Sequence, residues 1–462
     1  MATVTALAVL LLVTGPSPMN GPWDVFILID GGARVAEGQV PDVDFSNPIG
    51  PLTYILTALP MELDHAVGID AFAQGDVLFL LAVSLAALLV ARRRLPGPLA
   101  FAFTLFVAII ATADRPLGFP VGITSYAMIY NRYGWALYAI LLVLLFVRPI
   151  SPGRWGRTGT GLAAGLLLGA LFYCKITYFA AGVAALGLSL VLDDGRRKFL
   201  AGAATGLLTV LAVLYLGEGV SPGPYLGDIL SAGRAQSHEA RGAELTTTLK
   251  ANALPIALLG AVLFATVLRT VRGTAPRRYI RGRRLVLIVA FVVGSTIALA
   301  VGNQPEGREL PGFAAAVLII IASLTGPRGS LLTIETVVVI ALLFPPFLLW
   351  TPSKDVYARV RADTGSNGTP EHFDSPRLDD FVIPSNSPWK TAYWRSRDMK
   401  RSPSLLMRYP PSPRQPSVMR MPDGYIVVGW NCMNSMSFSG RPALRAIAMP
   451  SPVQAYAFVV AR

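Results

Sequence analysis

The chain is short of charge, histidine and cysteine. Charged side chains make up 15% of its 462 residues, where a soluble domain carries about 25%. That shortfall excludes an ordinary soluble enzyme and a disordered chain. Two cysteines, Cys174 and Cys432, provide neither a disulfide framework nor a thiolate metal quartet. The three histidines, His65, His238 and His372, lie too far apart in sequence to nominate a histidine metal centre. What the chain has in abundance is apolar surface: 53% hydrophobic residues and a mean hydropathy of +0.53. Apolar runs recur near 2–15, 75–91, 97–113, 134–148, 158–173, 176–192, 199–216, 251–268, 285–302, 311–325 and 330–350. The pattern predicts an all-α polytopic membrane protein with about 11 transmembrane helices. The first run would reach only about 21 Å as a helix. No Lys or Arg precedes it and no small-residue cleavage site follows, so it reads as a span rather than a signal peptide.

The net charge of +13 is a matter of placement. Alternate loops hold Arg92–Arg94, Arg148, Arg154 and Arg157, Arg196–Lys198, the run from Arg269 to Arg284, and Arg328. The opposite loops hold only Arg34, Arg115, Arg132, Lys175, Arg234, Arg241, Lys250 and Arg308. The positive-inside rule makes the first set cytoplasmic. The N-terminus is then inside, and residues 351–462 lie outside as a small extracytoplasmic segment after a 1–350 membrane domain. Nucleic acid is not an expected partner, because topology accounts for the basic excess. Acidic residues show the reverse skew. Eight fall between Asp24 and Asp70, in a first outer loop spanning 16–74. Carboxylates do not set topology, so this density points to a site on the outer face.

Within that loop, Val25, Ile29, Ala33 and Ala36 recur at helical spacing. They predict an interfacial helix over about 23–37, ended by Gly38, with Asp24 in its first turn. A second short helix is expected from Pro51. Together, Asp24, Gly38-Gln-Val-Pro41, Asp44-Phe45 and Gly50-Pro51-Leu52 resemble the first outer loop of the GT-C superfamily of integral-membrane glycosyltransferases, which includes protein O-mannosyltransferases and aminoarabinose transferases. The likeness covers about 35 residues closely. It implies transfer of a sugar from a polyprenyl-phosphate donor to a lipid, glycan or protein acceptor outside a bacterial plasma (inner) membrane. Many relatives carry Asp-Glu where this chain has Asp24-Val25, which leaves the catalytic assignment open between Asp24 and Asp30.

Such chemistry needs a carboxylate to take the acceptor's proton and cations to hold the departing phosphate. Asp24 is the first candidate for the base, with helix capping as its bland alternative. Asp30 and Asp44 follow, and Asp44 is equally suited to tying a loop turn to a backbone amide or an arginine. Asp42-Val43-Asp44 also spells a metal-binding Asp-x-Asp, so a divalent cation is left open, although a lipid-phosphate donor does not require one. Lys175 occupies a tight turn between two spans, where a charge at membrane depth is a functional candidate; snorkelling to the interface is its alternative. Arg132 suits phosphate or else belongs to an aromatic belt with Tyr130, Tyr133 and Trp135. Arg308, Arg34 and His238 complete the substrate-binding candidates. Glu306 and Glu309 are natural partners for Arg308, and Asp114-Arg115 reads as a local ion pair. Residues 217–250 read as a long loop able to close over substrate. Glu335 is the one acid expected inside a span. In the C-terminal segment, GYIVVGW and YAFVV read as strands. Two rival functions remain: a transporter or flippase, which would need a polar path through the bilayer, and a non-catalytic scaffold for envelope assembly.

Overall fold

The computed structural model describes residues 5, 8, 23–45, 49–66, 68–150, 156–192, 196–235, 239–272, 276–304, 309–325 and 340–363, and five three-residue strands in the C-terminal segment. Among the described residues these α-helices run in order: α1 Trp23–Ala36, α2 Leu52–Asp64, α3 Gly68–Arg94, α4 Gly97–Thr112, α5 Ile129–Phe146, α6 Gly156–Cys174, α7 Ile176–Leu192, α8 Arg196–Glu218, α9 Pro222–Ala235, α10 Glu239–Ala251, α11 Ala253–Arg272, α12 Pro276–Asn303, α13 Phe313–Thr325 and α14 Trp350–Asp363. Long apolar helices make this a helical, membrane-embedded protein. Among the described residues four are long and apolar enough to cross a bilayer: α3, α5, Arg197–Glu218 of α8 and Gly282–Asn303 of α12. A fifth candidate is the pair Glu244–Ala251 and Ala253–Ala265, bent by 66°.

The predicted eleven spans are thus only partly matched. The runs 97–113, 176–192 and 311–325 form helices of 16, 17 and 13 residues, below the roughly 20 that cover a hydrocarbon core upright. Most of the run 2–15, and residues 330–339 of the run 330–350, lie outside the described residues. The segment 217–250, expected as a loop, is largely helical, supplying α9 and α10.

α5 is the hub. It packs against α3, α4, α6, α7, α12 and α13, and nearly every side chain from Ile129 to Phe146 is buried. Tyr133 and Trp135, for which an interfacial belt was one alternative, are core residues, and Phe79 stacks on Tyr133 at 3.9 Å between centroids. α6 and α8 make the tightest pair. Gly161 and Gly165 face the backbone of Phe199 and Ala203, while Gly202 and Gly206 face the backbone of Thr158 and Leu162. A Cβ at any of these four would strike a carbonyl oxygen of the partner helix, so small residues at four-residue spacing set the approach.

The two ends of the bundle differ chemically. At one end Arg94 bonds the Val147 carbonyl, and Arg284 bonds the Leu192 carbonyl at 3.0 Å. At the other end lie Asp24, Lys175 and the loops after α4 and α12. A helix runs through the expected boundary at 350. The prolines 345 and 346 cannot donate backbone hydrogen bonds, and a π-helical turn, Pro345–Leu349, leads without a break into α14. α14 packs beside α4, and Asp355 is buried between Arg115 and Arg132. In the segment beyond, β1 Pro370–His372 pairs antiparallel with β2 Val382–Pro384, and β3 Val418–Arg420, β4 Ile426–Val428 and β5 Phe458–Val460 form a second antiparallel set. β4 and β5 fall within the two stretches expected as strands.

Candidate functional site

α1 buries Val25, Phe26, Leu28 and Val35 and packs on α2 and α3. It stops where Gly38 takes a left-handed φ of 84°, a conformation that favours glycine. This fixes Asp24 in the first turn. Its Oδ2 accepts the Met128 N–H at 2.7 Å. Met128 is itself held at φ 58°, ahead of α5, an uncommon and costly backbone state for a non-glycine residue. The Tyr130 hydroxyl bonds the same carboxyl. Burial pushes the Asp24 carboxyl up to about 6, against the lowering effects of the Met128 amide, the Lys175 charge and Tyr130.

Lys175 is the single residue between α6 and α7. Its Nζ donates to Asn131 Oδ1 at 2.7 Å and lies 4.7 Å from the Tyr130 ring centroid. Burial lowers its pKa to about 8, opposed by Cys174 and Asp24. Asn131 in turn donates to the Asn303 carbonyl, and the Asn303 side chain accepts from Thr177 at 3.0 Å. Tyr130 therefore stands between the first-loop acid and the cation. The loop is pressed onto the Lys175 turn at Gly50, where any Cβ would collide with the carbonyls of Tyr173 and Cys174.

The same loop carries a second candidate acid. The turn Val40–Phe45 is closed by Asp42 N–H to the Phe45 carbonyl at 2.9 Å and by Asp44 Oδ2 accepting the Val40 N–H at 2.7 Å. Asp44 therefore orders the turn and is otherwise exposed. Asp42, at φ 64°, hydrogen-bonds Asp228 of α9. Burial and the Asp228 charge and hydrogen bond push its carboxyl up to about 8. The two acids of the Asp-x-Asp thus have separate partners. Among the described residues no group of three or more His, Cys, Asp or Glu side chains is placed to hold a metal ion.

The remaining candidates are dispersed. Asp30 pairs with Arg34 at 2.9 Å across one helical turn, and Arg34 also reaches Gln39 and the Phe45 ring. Arg132 is buried, donating to the carbonyls of Arg115 and Ile110 and to both oxygens of Asp355. Arg115 does not pair with its neighbour Asp114. It bonds Glu309 at 2.8 Å and Asp355 at 2.9 Å, while Asp114 faces Arg359 at 3.6 Å. Glu309, expected to neutralise Arg308, also takes Lys354 at 3.0 Å. Arg308, His238 and Glu335 lie outside the described residues.

Buried charge is therefore more abundant than the sequence indicated. Asp355 was missed because it falls past the assumed boundary, in a charged stretch, TPSKDVYARVRAD, that reads as solvated. The signal available was the 3.6-residue alternation of Trp350, Val356, Tyr357 and Val360 running on from the last span. Asp42 and Tyr54 carried no sequence mark linking them to Asp228. Family models, curated proteins and solved structures give no match to this chain.

Proposed function

We propose that the chain is a GT-C-type glycosyltransferase that moves a sugar from a polyprenyl phosphate to a lipid, glycan or protein acceptor. It would sit in a bacterial plasma membrane, with the N-terminus cytoplasmic and the Asp24–Lys175 end outside, a reading the arginine distribution supports. The observation that carries the reading is the meeting of Asp24 and Lys175 around Tyr130 at one end of the bundle. Asp24 takes the proton of the acceptor hydroxyl as that oxygen attacks the anomeric carbon. The bond from that carbon to the phosphate oxygen breaks with inversion, and polyprenyl phosphate leaves with its charge against Lys175. A carboxyl near 6 is a base at neutral pH, and a lysine near 8 is still a cation there. Asp30 is engaged by Arg34, which favours Asp24 as the base. Arg132 is engaged by Asp355, so Lys175 takes the phosphate role alone among the described candidates.

The test is purified protein with a panel of radiolabelled polyprenyl-phosphate sugars and membrane lipid acceptors. Release of polyprenyl phosphate with appearance of a glycosylated product is expected. Flux of the donor into sealed vesicles without sugar transfer would identify a transporter. Neither transfer nor flux from folded protein would leave the scaffold.

A further inference from the structure

One turn at the head of α5 touches both members of the Asp24–Lys175 pair. Its first residue, Met128, donates its amide to Asp24 Oδ2, and the Met128 carbonyl accepts the Asn131 amide at 2.8 Å. Its last residue, Asn131, is buried and holds Lys175 Nζ through Oδ1 at 2.7 Å. Among the described residues this oxygen is the one side-chain hydrogen-bond acceptor of the ammonium. Tyr130 lies between, with its hydroxyl on the carboxyl and its ring against the ammonium. A side-chain amide can present either an acceptor or a donor to a neighbour, and here α12 makes the choice. Asn303 ends α12, where a main-chain carbonyl has no partner within the helix and needs a donor. Asn131 Nδ2 supplies it, which leaves Oδ1 to face Lys175. Asn303 is itself fixed on two sides. Its Nδ2 donates to the Leu299 carbonyl at 2.8 Å, and its Oδ1 accepts from Thr177 at 3.0 Å. Thr177 stands two residues after Lys175, so α5, α7 and α12 are bonded together around the acceptor that the ammonium uses.

Resting on the transfer reading, we propose that Asn131 is a positioning residue for that reaction: oriented by the Asn303 carbonyl, its amide oxygen holds the Lys175 ammonium at a set distance from the Asp24 carboxyl. Asn131 acts through Lys175 rather than on the substrate. A lysine has a flexible stem and three donors. One donor engaged by Asn131 fixes the head group and leaves the others to the departing phosphate. A hydrogen bond from the ionised ammonium favours its charged form, in opposition to burial. The end of α12 adds the negative pole of a helix dipole, so the cation is supported without a carboxylate bonded to it that would compete with the phosphate. Amide pairing that served the fold alone would satisfy the same buried groups but leave the proton affinity of Lys175 and the transfer step unaffected.

The experiment follows the lysine 13Cε resonances of the full-length protein in detergent through a pH titration, without substrate. The Lys175 resonance is the one absent from Lys175→Arg. Asn131→Leu should lower the Lys175 midpoint by about one pH unit, the size expected for losing one hydrogen bond to a charged group. Asn131→Asp, equal in size and retaining an acceptor, should raise the midpoint. Asp24, Tyr130, Cys174 and Tyr178, the titratable groups around this turn, are the same in both variants, so opposite shifts report the side chain at 131. Leu245→Ala, on the exposed face of α10, should leave the midpoint in place. In transfer assays Asn131→Leu should lower kcat about 10- to 100-fold, as misplacement of a reacting group does, with little change in KM, and its alkaline limb should move down with the NMR midpoint. If the melting curve shows that Asn131→Leu does not fold, Asn131→Asp decides alone. A midpoint that stays in place in the folded variants, or that falls in Asn131→Asp, overturns the positioning role. Opposite shifts in a protein that transfers no sugar would keep the hold of Asn131 on Lys175 and defeat the transfer reading. Transfer by the wild type with an unmoved midpoint in the variants would defeat the positioning role alone.

Discussion

Desolvation acts on Asp24 and Lys175 in opposite directions and brings both towards neutrality. A carboxyl raised to about 6 and an ammonium lowered to about 8 are both charged only in the window between. Asp24→Asn removes the base while retaining an acceptor for the Met128 amide. It should lower kcat by about 10²–10⁴-fold, the usual contribution of a positioned general base, with little change in KM and an unaltered melting curve. Steady-state assays beside thermal unfolding check this. Asp42 gives a stability prediction with a definite sign. Its folded pKa of about 8 exceeds the ordinary carboxyl value of 3.8, so between those values the folded chain binds more protons than the unfolded one. Stability therefore falls as pH rises through that window. Unfolding midpoints at pH 5 and pH 8 should differ in the wild type, and the difference should shrink in Asp42→Asn.

At the scale of elements, periodicity and turn chemistry made the first loop legible. Val25, Ile29, Ala33 and Ala36 marked α1, Gly38 marked its end, and Pro51 marked the start of α2, all within one turn of where the structure has them. Lys175 was legible because a lone charge between two apolar runs is conspicuous. The α6–α8 seam was present in the sequence as Gly161, Gly165, Gly202 and Gly206, but in a chain with 43 glycines only packing tells which ones face a neighbour. Gly165→Leu forces a side chain into the Ala203 carbonyl. It should destabilise the protein by about 1–3 kcal/mol, as overpacking does. Gly187→Leu on α7, where nothing lies within 4 Å, should be close to neutral. Melting temperatures in detergent compare the two.

The whole molecule is tied together by contacts that no local pattern encodes. Arg115, Arg132, Glu309, Lys354 and Asp355 come from three distant parts of the chain. Hydropathy placed the last two outside the membrane domain because it reads windows, not partners. Two buried guanidinium groups flank Asp355, so Asp355→Asn leaves them undercompensated and should cost about 3–5 kcal/mol. The loss should appear as a lowered unfolding midpoint, and α14 should become accessible to protease at Arg359 and Arg361. The same cluster explains why Arg132, a good phosphate ligand by type, has its donors directed into the fold. The free-facing chemistry is left to the end where the acidic first loop rests on the Lys175 turn.

The pairing of Asp24 with Lys175 is tested most directly by the pH dependence of sugar transfer in the wild type and in Lys175→Arg. A bell is expected for the wild type, rising through about 6 as Asp24 ionises and falling through about 8 as Lys175 loses its proton. Arginine stays charged at every accessible pH, so Lys175→Arg should keep the acid limb and lose the alkaline one. An alkaline limb that persists unchanged in Lys175→Arg would contradict the pairing of this base with this cation.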